Sequence, residues 1–240
     1  MDDVTVQEAA TILRVNSRRV RSLIDSGQLD AHRVGSQWTI TVDSMDAHRA
    51  LVSAGANSRP LSIRTGWGAA ALLDDQDVFW LSSAEKTRLR KRLARTSTWQ
   101  TWARWLGLRY SSIQRYQVVD TDISNILGRS GVVATGVSAA DHLTLGLGTS
   151  GQADVYTDAD LADELCREFF LVERDRGNLT VRTVDHSLHV VTAAHTAQGL
   201  VAARLMVAAD LLTAGDSRAH RAGDELLHSL LRNNQTAYFS

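Results

Sequence analysis

Apolar residues recur at helical spacing twice within the first 25 positions, at Val6, Ala9, Ala10 and Leu13 and again at Val20, Leu23 and Ile24. Each set predicts an amphipathic helix with one stripe turned toward a small shared core. Thr5-Val6-Gln7-Glu8 has the spacing of a capping box and starts the first helix: a hydroxyl meets an orphan N–H and a carboxylate reaches back three residues. Val15-Asn16 interrupts the pattern, Ser17 is the N-cap candidate for the second helix, and Gly27 supplies its C′ residue. The period then changes. Leu29, Ala31, Arg33 and Val34 run up to Gly35-Ser36, and Gln37, Trp38, Thr39 and Ile40 run back, which predicts a β-hairpin closed by a two-residue turn. Val34, Trp38 and Ile40 are expected to point inward and Arg33 and Gln37 outward, with Asp43 capping a short third helix over 44–51.

Beyond this, small polar residues around the single proline, Pro60, read as a linker. The expected organisation is a winged helix-turn-helix at 1–53, a linker at 54–66, a helical basic and Trp-rich segment at 67–117, and an α+β domain at 118–240. In the helical segment 67–73 forms one helix and Ser83-Ala84-Glu85 opens another, whose Leu89 and Leu93 lie among Lys86, Arg88, Arg90, Lys91, Arg92 and Arg95. Trp99, Trp102 and Trp105 follow at three-residue intervals and are expected to be core. Further on, strands are expected at 132–135, 153–157, 178–184 and 188–192, and helices at 138–142, 160–170, 200–212 and 218–231. The fold class is therefore α+β, with a small mixed sheet and a two-helix ending.

Composition narrows the classes. At 240 residues and 44% hydrophobic, the chain can build one small and one medium core. A net charge of −1 means that any attraction to nucleic acid is local. Cys166 is the only cysteine, so an internal disulfide and a CxxC metal site are excluded. No apolar run has the length of a membrane span and the start, Asp2-Asp3, is no basic signal region, so a cytosolic protein acting on the nucleoid, with no membrane partner, is expected.

The exposed face of the second helix carries the chemistry. Arg18, Arg19, Arg21 and Ser22, with Ser17 before them and Arg14 at the end of the first helix, form a cationic surface. Guanidinium groups at the start of such a helix reach guanine O6 and N7 bidentately and also hold phosphates, and Arg33 and Gln37 on the wing add backbone or minor-groove contacts. Residues 5–40, beginning T-V-Q-E-A-A-T-I-L-R-V-N-S-R-R-V-R and ending H-R-V-G-S-Q-W-T-I, resemble the excisionase-type, MerR-like winged helix-turn-helix family. The resemblance implies double-stranded DNA as partner, with the second helix in the major groove and Ser17, Arg18, Arg19, Arg21 and Arg33 on the contact face. Asp25, Asp30, Asp43 and Asp46 make the module nearly neutral, which implies weak binding by one copy and a homodimeric or cooperative assembly. The basic residues from Lys86 to Arg95 are either the wet face of a helical subdomain or a second patch on flanking DNA.

Three patterns further along invite other chemistry. Gly146-Leu-Gly148-Thr-Ser-Gly151 matches a dinucleotide motif but runs into a strand rather than a helix, so it is expected to be a loop with no cofactor. His186, His189 and His195 lie in strand-like sequence where i and i+3 point to opposite faces, so no metal is expected. Gly136-Val-Ser138 followed by Asp154-Val-Tyr156 has the outline of a nucleotidyl-transfer site, with tyrosine where a second Mg²⁺-binding carboxylate is needed. One carboxylate cannot form the two-metal clamp. Residues 133–233, with G-V-S-A-A, A-D-V-Y, D-R-G-N-L-T-V-R-T-V and A-A-D-L-L-T-A-G-D-S-R-A, resemble the C-terminal domain of AbiEi-like antitoxins of type IV toxin–antitoxin pairs. That resemblance implies a non-enzymatic, self-repressing regulator with a toxin encoded in its operon. The alternatives are an excisionase that bends mobile-element DNA and, less favoured, a nucleotidyltransferase.

Overall fold

The computed structural model describes residues 3–25, 29–35, 37–54, 60–94, 99–148 and 151–238. Gly27, Ser36, Arg95 and the linker residues 55–59 lie outside them, as does the side chain of Trp99.

The N-terminal module is β1 (Asp3–Thr5), α1 (Val6–Leu13), α2 (Ser17–Asp25), β2 (Ala31–Val34), β3 (Gln37–Thr41) and α3 (Val42–Ala54). β1 was not anticipated. It pairs antiparallel with β3, Val4 opposite Ile40, and gives a three-stranded sheet in the order β1-β3-β2. Thr5 then leaves the strand and caps α1 with the predicted reciprocal box: its N–H donates to Glu8 Oε2 at 2.8 Å and its Oγ1 accepts from the Glu8 N–H at 3.3 Å. Ala9, Ala10, Val20, Leu23, Leu29, Ile40 and Met45 close the core. α3 begins one residue ahead of Asp43, which sits in its first turn instead of at the cap.

The rest of the chain forms α4 (Ile63–Leu73), α5 (Ser83–Leu93), α6 (Trp99–Trp105), β4 (Ser112–Gln117), α7 (Asp120–Leu127), β5 (Val133–Ala134), a 3₁₀ turn (Gly136–Ala139), β6 (Ala153–Thr157), α8 (Ala159–Glu168), β7 (Val172–Glu173), β8 (Leu179–Thr183), α9 (Leu188–Val191), β9 (Ala194–Thr196), β10 (Gly199–Val201), α10 (Arg204–Leu212) and α11 (Ser217–Tyr238). Seven strands make one mixed sheet in the order β7-β4-β8-β6-β5-β10-β9, parallel at β6/β8 and β5/β10. Side-chain alternation divides it cleanly. Val155, Leu179 and Val181 face α7 and α8, together with Ile126 and Leu165. Tyr156 and the small residues of β5 face α4, α6, α10 and α11, and Trp67, Trp102, Trp105, Leu205, Met206 and Leu230 fill that layer.

Several expectations are corrected. Residues 188–192 are a helical turn, because His186 and Ser187 before them both take left-handed backbone (φ 63° and 53°) and redirect the chain. Residues 199–201 are a strand, and the helix expected from 200 starts only at Arg204. Helix α4 begins at Ile63, capped by the Ser62 side chain, four residues before the expected start. The basic, Trp-rich segment shares its hydrophobic layer with α10 and α11, and its last residues are β4 of the sheet. Among the described residues no helix is long and apolar enough to cross a membrane.

One buried chain of ions crosses that layer. Asp210 on α10 is 1% exposed. Its carboxylate accepts from Arg109 Nε at 2.8 Å and Thr135 Oγ1 at 2.6 Å, and lies 3.2 Å from Arg182 Nε. Arg182 also donates to Asp154 Oδ1 at 3.0 Å. Burial alone would raise the Asp210 carboxyl, but Arg182 and Arg109 outweigh it and hold the group below its ordinary range. We predict that Asp210→Ala costs about 3–5 kcal/mol of stability by denaturant titration, since it leaves two guanidiniums unpaired in the core. Because the folded carboxyl is depressed, its contribution is present at neutral pH and is lost as pH falls below about 4. The acid limb of the stability profile should therefore be shallower in Asp210→Asn.

Candidate nucleic-acid interface

Helix α2 owes its start to Asn16, whose Oδ1 accepts from the Arg19 N–H at 2.8 Å. Ser17 is therefore the first helical residue rather than the cap. Arg14, in the left-handed conformation (φ 54°), ends α1 and completes the turn. Val20 and Leu23 point into the core, leaving Arg18, Arg19, Arg21 and Ser22 exposed, with Arg14 beside them and Ser17 half-buried. None of these four arginines is ion-paired among the described residues. The first turn of α2 contains no acidic residue, so cations occupy the positive end of the helix dipole, where they are unfavourable unless an anion arrives.

The wing corrects the predicted register. Val34 stands opposite Gln37 and Arg33 opposite Trp38, so each pair shares a face across the two-residue turn, with Gly35 at φ +64°. Val34 is accordingly 61% exposed rather than core. Trp38 is half-buried, and the Arg33 guanidinium lies over its ring at 5.3 Å, an arrangement that stiffens the wing. Between wing and helices lies a cleft of about 380 Å³ lined by Thr5, Val6, Gln7, Ser17, Arg21, Gln37 and Trp38. It brings together three of the predicted contact residues, Ser17, Arg21 and Gln37. Thr5, Gln7 and Trp38 were missed as its walls, although the turn length alone fixes Trp38 on the face of Arg33.

The larger lobe grips this module along the free edge of β2. The Arg33 N–H donates to Asp175 Oδ2 at 2.8 Å, and Arg115 pairs with Asp30 at 2.9 Å. His32 lies between Asp3 at 3.2 Å and Arg176 at 3.2 Å. Two of the module's carboxylates are thus turned toward the lobe, away from α2. On α3, burial first and then the charges of Arg19 and Arg104 push the His48 imidazole down, so it is neutral at pH 7. Arg104 comes from α6 and had no signal in the sequence.

Of the second basic patch, Lys86 is tied to Asp77 at 3.2 Å and Arg92 lies 4.0 Å over the Trp105 ring. Arg88, Arg90 and Lys91 are exposed.

The nucleotidyl-transfer outline is closed. Asp154 accepts from Arg182, its N–H is bound by Ser138 Oγ at 2.9 Å, and a Cβ at Gly136 would sit 2.5 Å from its Oδ2. Tyr156 is fully buried, and burial with the nearby Asp210 pushes its hydroxyl well up, so it stays a neutral phenol. His189 is buried on α9, away from the strand position expected for it, and burial pushes its ring down. Among the described residues no three His, Cys, Asp or Glu side chains gather to hold a metal. The described part of the Gly146–Gly151 run is irregular chain leading into β6.

Comparison with protein families matches residues 4–50 to a helix-turn-helix domain and residues 94–229 to the transcriptional regulator, AbiEi antitoxin, of type IV toxin–antitoxin systems. Neither curated proteins nor solved structures return a match. The second match starts in the basic segment and takes in α6 and β4, which is how the hydrophobic layer groups them. It covers more than half of the 240 residues, and with a helix-turn-helix in front of it the chain belongs to the AbiEi antitoxin family of transcriptional regulators.

Proposed function

We propose that this protein is a sequence-specific repressor that binds double-stranded DNA upstream of its own operon, without enzymatic activity, and counters a toxin encoded beside it. The observation that carries the reading is the row of exposed, unpaired guanidiniums on α2, facing the same cleft as the wing. In this reading α2 enters the major groove, Arg18 and Arg21 reach guanine edges, Arg19 and Arg14 take phosphates, and Ser17, Ser22, Gln37 and Arg33 fix the register on the backbone. The Arg33 backbone is held by Asp175, so the wing meets DNA already ordered and loses less entropy on binding. The near-neutral charge of the module favours two copies on neighbouring half-sites over one copy alone. Such a repressor works on the nucleoid in the cytoplasm. The absence of catalysis rests on Asp154, whose carboxylate is bound by Arg182 and has a tyrosine in place of its partner.

Footprinting the purified chain on its upstream region should give a protected site. Arg18→Ala or Arg21→Ala should weaken binding there by about 1–3 kcal/mol while changing random-sequence binding little. Equal loss on both duplexes would reassign the arginines to phosphates. Incubated with Mg²⁺ and nucleoside triphosphates, the protein should transfer no nucleotide. Transfer that disappears in Asp154→Ala would overturn the non-enzymatic reading.

A further inference from the structure

The basic residues of the larger lobe do not form one undivided patch. Helix α5 advances 100° per residue, and Leu89 and Leu93 define its buried side. Arg88 and Arg92 are four residues apart and so lie on one stripe, with Lys91 alongside, whereas Arg90 falls about 160° from Arg88 on the other flank. That stripe has a direction. Arg92 reaches the Trp105 ring at 4.0 Å, and the residue before Trp105 is Arg104. Arg104 in turn flanks His48 together with Arg19 of α2, through the packing of α6 on α3. A line of guanidinium and ammonium groups therefore leads from α2 through Arg104 and Arg92 to Arg88 and Lys91. No carboxylate on α5 interrupts it, because Glu85, the only acidic residue of the helix, is spent on the Ser82 cap. The contacts of Asp30 and Asp175 with Arg115 and Arg33 hold the module against the lobe, so both ends of the line belong to one frame.

We propose that this line is a second, sequence-independent DNA site, in which Arg104, Arg88 and Lys91 take phosphates of the duplex flanking the segment read by α2. It rests on the reading of α2 as the recognition helix. It also supplies, within one copy, phosphate neutralisation that the near-neutral module lacks. Arg90 is the internal control. It carries the same charge on the same helix and faces away from the line.

The test is binding of the full chain to a random-sequence duplex of about 30 base pairs, roughly three helical turns, over a range of salt concentrations. Arg88→Ala/Lys91→Ala should weaken binding several-fold and reduce the slope of log K against log salt by about 1.8, two released counterions at about 0.9 each. Arg90→Ala should leave both unchanged. The inference is overturned if the double variant keeps the wild-type slope, or if Arg90→Ala loses as much per charge, which would mean net charge alone. An Arg18→Ala arm, measured on the footprinted upstream site, separates the two readings: no loss there sinks the recognition helix, whichever way the α5 variants behave.

Discussion

A carboxylate with almost no exposure stays ionised only if cations are brought to it, and Asp210 brings two. Those two come from distant parts of the chain. Arg182 is on β8 in the middle of the sheet, and Arg109 is on the turn after α6, whose backbone carbonyl also receives the indole N–H of Trp67 at 2.8 Å. Meeting the needs of one side chain on α10 therefore fixes the sheet, the tryptophan helices and the C-terminal helices relative to one another. Arg182 passes the constraint on to Asp154. The same ion chain that organises the layer also fills the position where a metal-binding carboxylate would have to stay open, so stability here and nucleotidyl transfer exclude one another.

The position of the DNA module follows from that frame. α6 is held by the core that Arg109 anchors, α3 packs on α6, and the tip between β7 and β8 reaches the edge of β2. An exposed strand edge is a liability, and Asp175 covers one of its N–H groups. The ionic contacts are partly exposed and individually weak. Their effect is directional more than energetic, because they draw Asp3 and Asp30 toward the lobe and leave the arginines of α2 as the dominant charges on the open side.

What was legible in the sequence was local. The Thr5-Glu8 box, the stripes of α1 and α2, the two-residue turn and the strand at Ala153–Thr157 all depend on neighbours within a few positions. Two misreadings had a local remedy. Asn16 and Ser17 are both good caps, and only the chain direction decides between them. The inward face of the wing was misassigned even though a two-residue turn already requires Val34 to face the side of Gln37. The rest was not available. β5, β7, β9 and β10 are two or three residues long and exist only through partners far along the chain, such as Leu200 beside Val133. His186 and Ser187 adopt left-handed backbone with no glycine or asparagine to announce it. Arg104 became part of the site through packing between lobes, which no periodicity encodes.

Helix α2 breaks the rule that cations belong at the C-terminal end, and it does so with three arginines within five residues. Local propensity would have placed an acid there, as in α1 with Glu8 and α5 with Glu85. The two helices with acidic first turns have capping boxes that close on themselves and present nothing to a ligand. In α2 the cap is an uncharged asparagine, so the positive end of the dipole and the guanidiniums add instead of cancelling. The mutual repulsion persists in the free protein and is relieved when an anion binds, so part of the affinity for phosphate is stored in the unbound fold. A helix selected for stability alone would have no reason to keep that arrangement. Its survival beside two properly capped helices in the same chain is the physical argument that this surface exists to meet a polyanion.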